Sequence, residues 1–261
     1  MCTVLLRLRP DSAWPVRLAF VRDEDRDRPS DPPARWWPQL PHAIGGRDAR
    51  AGGTWLAVDL SSPTSLAMLT DRYDPTAALP DLTSSPTRGT LPLVSLERGP
   101  HFDLEADVPG GVAVYQPFHL ASLQRDRERW IAERWSWTGS ALDHARLDAG
   151  DHVIASRAST LPGELQRRAR LLAELEMVDD DDRDFDAAGD STWSDWIDLL
   201  DARSVQPDQL DAIAIHSVAQ RPGFGTVGAS LVAIAADGRV RYDINRTPDL
   251  SPDAWRRVPI N

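Results

Sequence analysis

Residues 1–9 read Met1-Cys2-Thr3-Val4-Leu5-Leu6-Arg7-Leu8-Arg9, and the expected fold turns on how they are taken. Thr3, Leu5, Arg7 and Arg9 fall on one side and Val4, Leu6 and Leu8 on the other, the two-residue period of a β-strand. A strand starting there puts Cys2, the single cysteine of the chain, at its leading end. Cys is small enough for the initiator methionine to be trimmed, which leaves a thiol and a free α-amino group on one residue. An ordinary thiol titrates near ~8.5 and an α-amino group near ~7.7–8.0, so the amine can take the thiol's proton close to neutrality. That is the chemistry of an N-terminal nucleophile, which needs no external histidine base. The other reading of Cys2 is a small buried hydrophobe at a strand end, and the residues leave both open.

Outward from this strand, Val16–Val21 is a second apolar run after the Asp11–Pro15 turn, so a hairpin is expected. The Pro-rich stretch from Arg22 to Pro41 reads as loop. Thr54–Val58 and Ser65–Leu69 read as paired strands behind Gly52-Gly53, and residues 72–92 as an ordered loop. Phe118–Trp137 fits a helical stripe slightly better than strands by periodicity alone. Leu165–Val178 and Thr192–Leu200 have helical spacing. Ala212–Ile215, Ser230–Ala235 and Val240–Ile244 read as strands, the last two joined at Asp237-Gly238. With no repeat and no linker, the expectation is one domain over residues 1–261.

Composition narrows the chemistry. The net charge of −11 argues against nucleic acid or an anionic membrane as main partner. All 29 basic residues are Arg, which removes Schiff-base lysine chemistry and the lysine of a phosphate-binding P-loop. One cysteine rules out an internal disulfide. Arg7, Arg9 and Asp11 interrupt any leader-like run, and no segment approaches the ~20 apolar residues of a membrane span; a cytoplasmic protein is expected. The histidines show no HExxH or other metal spacing. Asp179–Asp186 lacks the glycine and glutamate of a calcium loop and reads as a solvated connection between helices. The Arg22–Arg28 charge run reads, unaided, as a solvated hairpin end.

The ordered set Met1-Cys2-Thr3, Arg22-Asp23-Glu24, Arg28-Pro29, Gly52-Gly53-Thr54-Trp55-Leu56 and Leu69-Thr70 resembles the NRDE family, also called the transport and Golgi organisation 2 family. The likeness continues weakly through Arg88-Gly89 and Phe224-Gly225-Thr226 to Tyr242. It implies an α+β fold, a four-layer αββα sandwich of the N-terminal-nucleophile hydrolase type. It also implies that Phe118–Gln124 and Trp130–Trp137 are consecutive antiparallel strands. More distantly, Cys2 followed by Asp23 is similar to the cholylglycine hydrolases and penicillin V acylases, in which an Asp at that place holds the terminal amine and Asn side chains form the oxyanion hole.

The departures from the family pattern bear on function. Val21 stands where the motif has Asn, Asp71 where an Asn follows Leu69-Thr70, Arg157 where Ser156 is followed by Asn, and Val227 where an Arg follows Gly-Thr. Losing one oxyanion donor costs about 10²–10³ in turnover, and an Asp there would repel the developing charge. Two functions follow from the resemblance. The first is a binding or trafficking protein for a small apolar molecule, haem or an acyl lipid, with a degenerate catalytic site. The second is an amidohydrolase in which Cys2 attacks a non-peptide amide substrate and Asp23 orients the amine. Arg22 and Glu24 would support either site, Glu24 tying down the next loop through an Arg such as Arg28. Trp36, Trp37 and Trp55 are candidates to line an apolar pocket.

Overall fold

A computed structural model of the chain describes residues 2–61, 63–74, 85–127, 129–180, 183–186, 190–201, 213 and 221–260. The fold is α+β, with two antiparallel sheets and few helices. The chain divides into two compact units, residues 1–27 with 149–261, and residues 28–148.

The first unit holds β1 (Thr3–Leu8), β2 (Val16–Asp25), β10 (Gly150–Ala155), β11 (Phe224–Ile234), β12 (Val240–Asn245) and β13 (Arg256–Arg257) in the order β10-β1-β2-β11-β12-β13. The β1–β2 hairpin forms as its alternation predicts, and Thr3 lies between Val21 and Ala155. Helices α3 (Glu164–Glu176) and α4 (Ser194–Asp201) cover one face, where Leu171, Leu175, Trp196 and Leu200 meet Leu5, Ala19, Val21 and Leu231. Both faces of β1 are therefore buried, including the side bearing Arg7, which is 2% exposed. The strand expected at 212–215 lies outside the described residues, apart from the buried Ile213.

Burying Arg7 requires a counter-charge, and the acidic run supplies it. Arg7 makes paired 2.9 Å bonds to Asp151 and donates to the Leu175 and Val178 carbonyls. Asp180 accepts from both Arg7 and Arg17 through one oxygen and from Trp196 Nε1, at 2.8 Å, through the other. Burial alone would lower the Arg7 pKa, but Asp151 and Asp180 more than offset it and hold it above the ordinary value. The run is thus solvated only in part: Asp180 is a buried ion-pair centre, whereas Asp179 and Asp184 are exposed and Asp186 pairs with Arg239 and Arg257 at the surface. Charge density marks exposure only when no complementary charges wait inside.

The second unit is a sheet in chain order, β3 (Ser30–Ala34), β4 (Ala43–Asp48), β5 (Leu56–Asp59), β6 (Ser65–Asp71), β7 (Phe118–Asp126), β8 (Arg129–Trp137) and β9 (Leu142–Arg146). Phe118 pairs with Trp137, so this segment is strand, as the family resemblance implied and periodicity did not. Periodicity missed it because β7 is buried on both faces from Phe118 to Gln124, with Leu120, Trp135 and Trp137 on the helix-covered face, over α1 (Leu91–Arg98) and α2 (Leu104–Asp107). Two loop expectations are overturned. Ser30–Ala34 is an edge strand, a place that tolerates Pro32 and Pro33 because one side needs no ladder donors. Helix α1 starts at Leu91, with Pro92 in its first turn, where a missing N–H costs nothing.

Gly52-Gly53 serves backbone geometry. Gly52 has φ +74°, and a Cβ on Gly53 would sit 2.4 Å from the Gly89 carbonyl carbon. The close approach lets Thr54 N–H bond Gly89 O at 2.8 Å, joining two separated motifs. Beside them, Arg28 Nε bonds Asp48 Oδ2 at 2.6 Å. Burial alone would raise the Asp48 pKa, but Arg28 and the Ala51 and Arg50 N–H groups outweigh it and hold the carboxyl below its ordinary range. Gly53→Ala is expected to destabilise the fold by about 1–3 kcal/mol, because the obstructing atoms are backbone and cannot swing aside. A urea midpoint equal to the parent's would refute this close-approach account.

Candidate functional site

The residues singled out around the amino terminus meet at one end of the first unit's sheet. In the β1–β2 register Thr3 faces Val21, so Thr3, Val21 and Asp23 share one face, and Cys2, Arg22 and Glu24 take the other. Cys2 is 8% exposed and its Sγ lies 3.7 Å from the main-chain oxygen of Asp23, an S–H donor to a carbonyl. Ser156 N–H bonds the Cys2 carbonyl at 3.0 Å, extending the β1–β10 ladder past its last paired residue. Thiol and carboxylate therefore leave adjacent strands in opposite directions. In an N-terminal-nucleophile scheme the carboxylate acts on the amine rather than on the sulfur, so this division suits its chemistry.

Asp23 is 4% exposed, and its Oδ1 accepts from the Thr226 hydroxyl at 2.7 Å. Thr226 is brought there by its register opposite Asp23 in β11, just before a bulge between Thr226 and Gly228. Burial raises the Asp23 pKa above its usual value; the positive chain terminus, Thr226 and Arg167 act against that rise. Arg167 reaches in from α3, donates to Thr3 Oγ1 at 2.8 Å and to Glu164 Oε1 at 3.3 Å, and has its own pKa lowered by burial. Arg22 and Asp23, 7% and 4% exposed, correct the reading of this charge run as a solvated hairpin end. Glu24 lies 3.7 Å from Arg22 and accepts from Asp25 N–H at 2.9 Å.

Arg157 lies 3.2 Å from Glu164 Oε2, and Arg168, at 3.1 Å, adds a third ion pair to Glu164 beside those of Arg157 and Arg167. Val21 is fully buried in the apolar cluster beneath α3 and α4, a setting that would leave an Asn amide short of partners. Thr3, Glu164, Arg167 and Thr226 complete the cluster. Of these, Thr226 was accessible to sequence reading through the Phe224-Gly225-Thr226 motif, whereas Arg167 and Glu164 carry no signal beyond one turn of a helix.

Trp36, Trp55 and Asp71 belong to the second unit. The Arg47 guanidinium lies 4.4 Å from the Trp36 ring, and Trp36 Nε1 donates to Pro32 O. The Trp55 indole lies against Gly46, where a Cβ would come within 2.4 Å of it. Trp37 is a core residue, 6% exposed with its Nε1 on Gly52 O. Asp71 ends β6 opposite Phe118, half-buried.

Among the described residues no helix is long and apolar enough to cross a membrane, and no group of three or more His, Cys, Asp or Glu is placed to hold a metal ion. No curated protein matches the chain. Among solved structures, the Anbu (ancestral beta-subunit) protein from Yersinia bercovieri is similar at 10% identity, over 99% of this chain and 87% of that one, with a TM-score of 0.36. The family model described as Transport and Golgi organisation 2 matches residues 1–247, and with the motifs around Cys2, Asp23, Gly53 and Thr226 in place, the chain belongs to that family.

Proposed function

We propose that this protein binds a small apolar molecule, an acyl lipid in the first instance, and does not hydrolyse it. The observation that carries the reading is the commitment of the would-be catalytic groups to structure. The Cys2 thiol is buried on a main-chain carbonyl, Arg157 is paired with Glu164, and Val21 is core. A chain that keeps the scaffold while spending these positions on packing supports binding over turnover. The transport role in the family's description agrees with that reading. Haem is the second candidate ligand; of the histidines, His119 Nδ1 lies 2.8 Å from Ser136 Oγ, and His144 stacks on Trp135 with Nε2 3.2 Å from Glu133.

Titration with a long-chain acyl thioester and with haemin, beside incubation with penicillin V and glycocholate, tests the proposal. Saturable acyl binding that Cys2→Ala retains, with amide turnover no faster than that of Cys2→Ala, is expected. Amide hydrolysis that disappears in Cys2→Ala would reverse the assignment. It would favour the amidohydrolase, for which the buried Asp23 carboxyl held by Thr226 is the supporting observation. Intact mass adds a prerequisite for that second reading, since a retained Met1 leaves Cys2 without a free amine.

A further inference from the structure

Helix α3 buries one side, with Arg167, Leu171 and Leu175 turned inward, and its outer side is apolar where a surface helix is ordinarily polar. Leu165, Ala169, Ala173 and Met177 recur there at every fourth residue, and all four are exposed. Leu165, at 62%, and Met177, at 83%, are the most exposed large hydrophobic side chains among the described residues. Met177 caps the helix in the right-handed helical conformation, so the row is continuous from Leu165 to Met177.

The charges beside this row run the wrong way for a helix that stands alone. Arg168 and Arg170 lie in the amino-terminal half, Glu174 and Glu176 in the carboxy-terminal half. The helix dipole favours the opposite placement by ~0.3–1 kcal/mol per charge. The Arg170–Glu174 pair, 3.9 Å apart, is also in the weaker of the two i,i+4 orders. An antiparallel neighbour of the same sequence reverses the balance, because it sets each basic half against an acidic one. A twofold axis between two copies of the chain produces that arrangement.

We propose that α3 is the contact surface of a homodimer, two copies packing antiparallel about an axis at the level of Leu171. Leu165 then meets the partner's Met177, and Ala169 meets the partner's Ala173, small residues that let the helices approach to ~8–10 Å. Arg170 falls on the same margin as the partner's Glu174, about 3 Å from it along the axis at a rise of ~1.5 Å per residue. One helix pair covers less than the ~1,200–2,000 Å² of a stable interface, so a dissociation constant of about 10–100 µM is expected.

Sedimentation velocity of the full chain from about 1 to about 300 µM tests this. The parent is expected to pass from monomer to dimer across that range. Ala173→Glu puts a good helix former at an exposed position, so the melting temperature should hold. Association should weaken at least about tenfold, because the new carboxylate is buried against the partner's Ala169. Glu174→Arg should weaken it about fivefold, the pair occurring twice by symmetry, and adding Arg170→Glu should restore it. If Ala173→Glu melts lower than the parent, the charge reversal and its repair decide alone. A parent that stays monomeric overturns the proposal; its flotation with phosphatidylcholine vesicles, lost in Ala173→Glu, would assign the face to a lipid surface instead. A dimer that a stably folded Ala173→Glu leaves intact overturns it too, since the contact then lies elsewhere. If Arg170→Glu does not repair Glu174→Arg, the antiparallel packing is wrong.

Discussion

Asp180→Ala is expected to lower the unfolding free energy by about 3–5 kcal/mol, the largest single-residue effect anticipated for this chain. Asp180 is buried and accepts from Arg7, Arg17 and Trp196 at once, so its removal leaves two guanidinium groups deprived of a carboxylate. Asp151 still serves Arg7, while Arg17 keeps the neutral Trp14 carbonyl and Ser12 hydroxyl, at 2.8 and 2.9 Å, and lies 5.9 Å from the Phe185 ring. Asp180→Asn keeps the shape and one acceptor and is expected to fall between parent and alanine. Urea unfolding read by tryptophan fluorescence measures this directly, because Trp196 is itself a partner. A loss below about 1 kcal/mol would show that water or neighbouring groups take over the charges, and the segment after α3 would then be held by its apolar contacts instead.

Arg167→Met is expected to destabilise by about 2–3 kcal/mol and to change how stability depends on pH. The methionine fills the apolar part of the site but withdraws the donor to Thr3 and the positive charge near Asp23. Asp23 already has a folded-state pKa above its unfolded value, because burial outweighs its favourable partners. Between the unfolded and folded values the native protein holds a proton that the unfolded chain has released. The Asp23 contribution is therefore fully present below the ordinary carboxyl range and is lost as pH rises through the folded value. Removing Arg167 raises that folded value further, extends the window upward and deepens the loss near neutrality. Asp23→Asn has no such ionisation and can still accept from Thr226, so it should flatten the dependence and recover part of the loss in the Arg167→Met background. A double-mutant cycle across pH 4 to 8 would show no coupling if Arg167 acted on Thr3 alone.

Strand periodicity at residues 3–8, the turn at Asp237-Gly238 and the helical spacing of Leu171 and Leu175 were legible because each reflects a local burial pattern. The Phe118–Trp137 hairpin was legible only through the family likeness, since its large apolar residues sit close enough together to imitate a helical stripe. The charged runs misled for one physical reason: a carboxylate is stable inside when guanidinium groups from distant strands converge on it, and no local window contains both partners. Asp180 with Arg7 and Arg17 is of this kind, whereas buried Asp23 is met by the Thr226 hydroxyl from β11 and keeps a raised pKa.

The sequence by itself determined the hairpin that presents Cys2 beside Asp23, the exclusion of lysine chemistry, and the motif order that marks the family. Only the tertiary structure decided that the thiol and the Asp23 carboxylate face opposite ways and that Arg157 and Glu164 are tied together. The physical reason is that strand register converts residues far apart along the chain into neighbours on one face. A one-residue shift would send every one of these side chains to the other side.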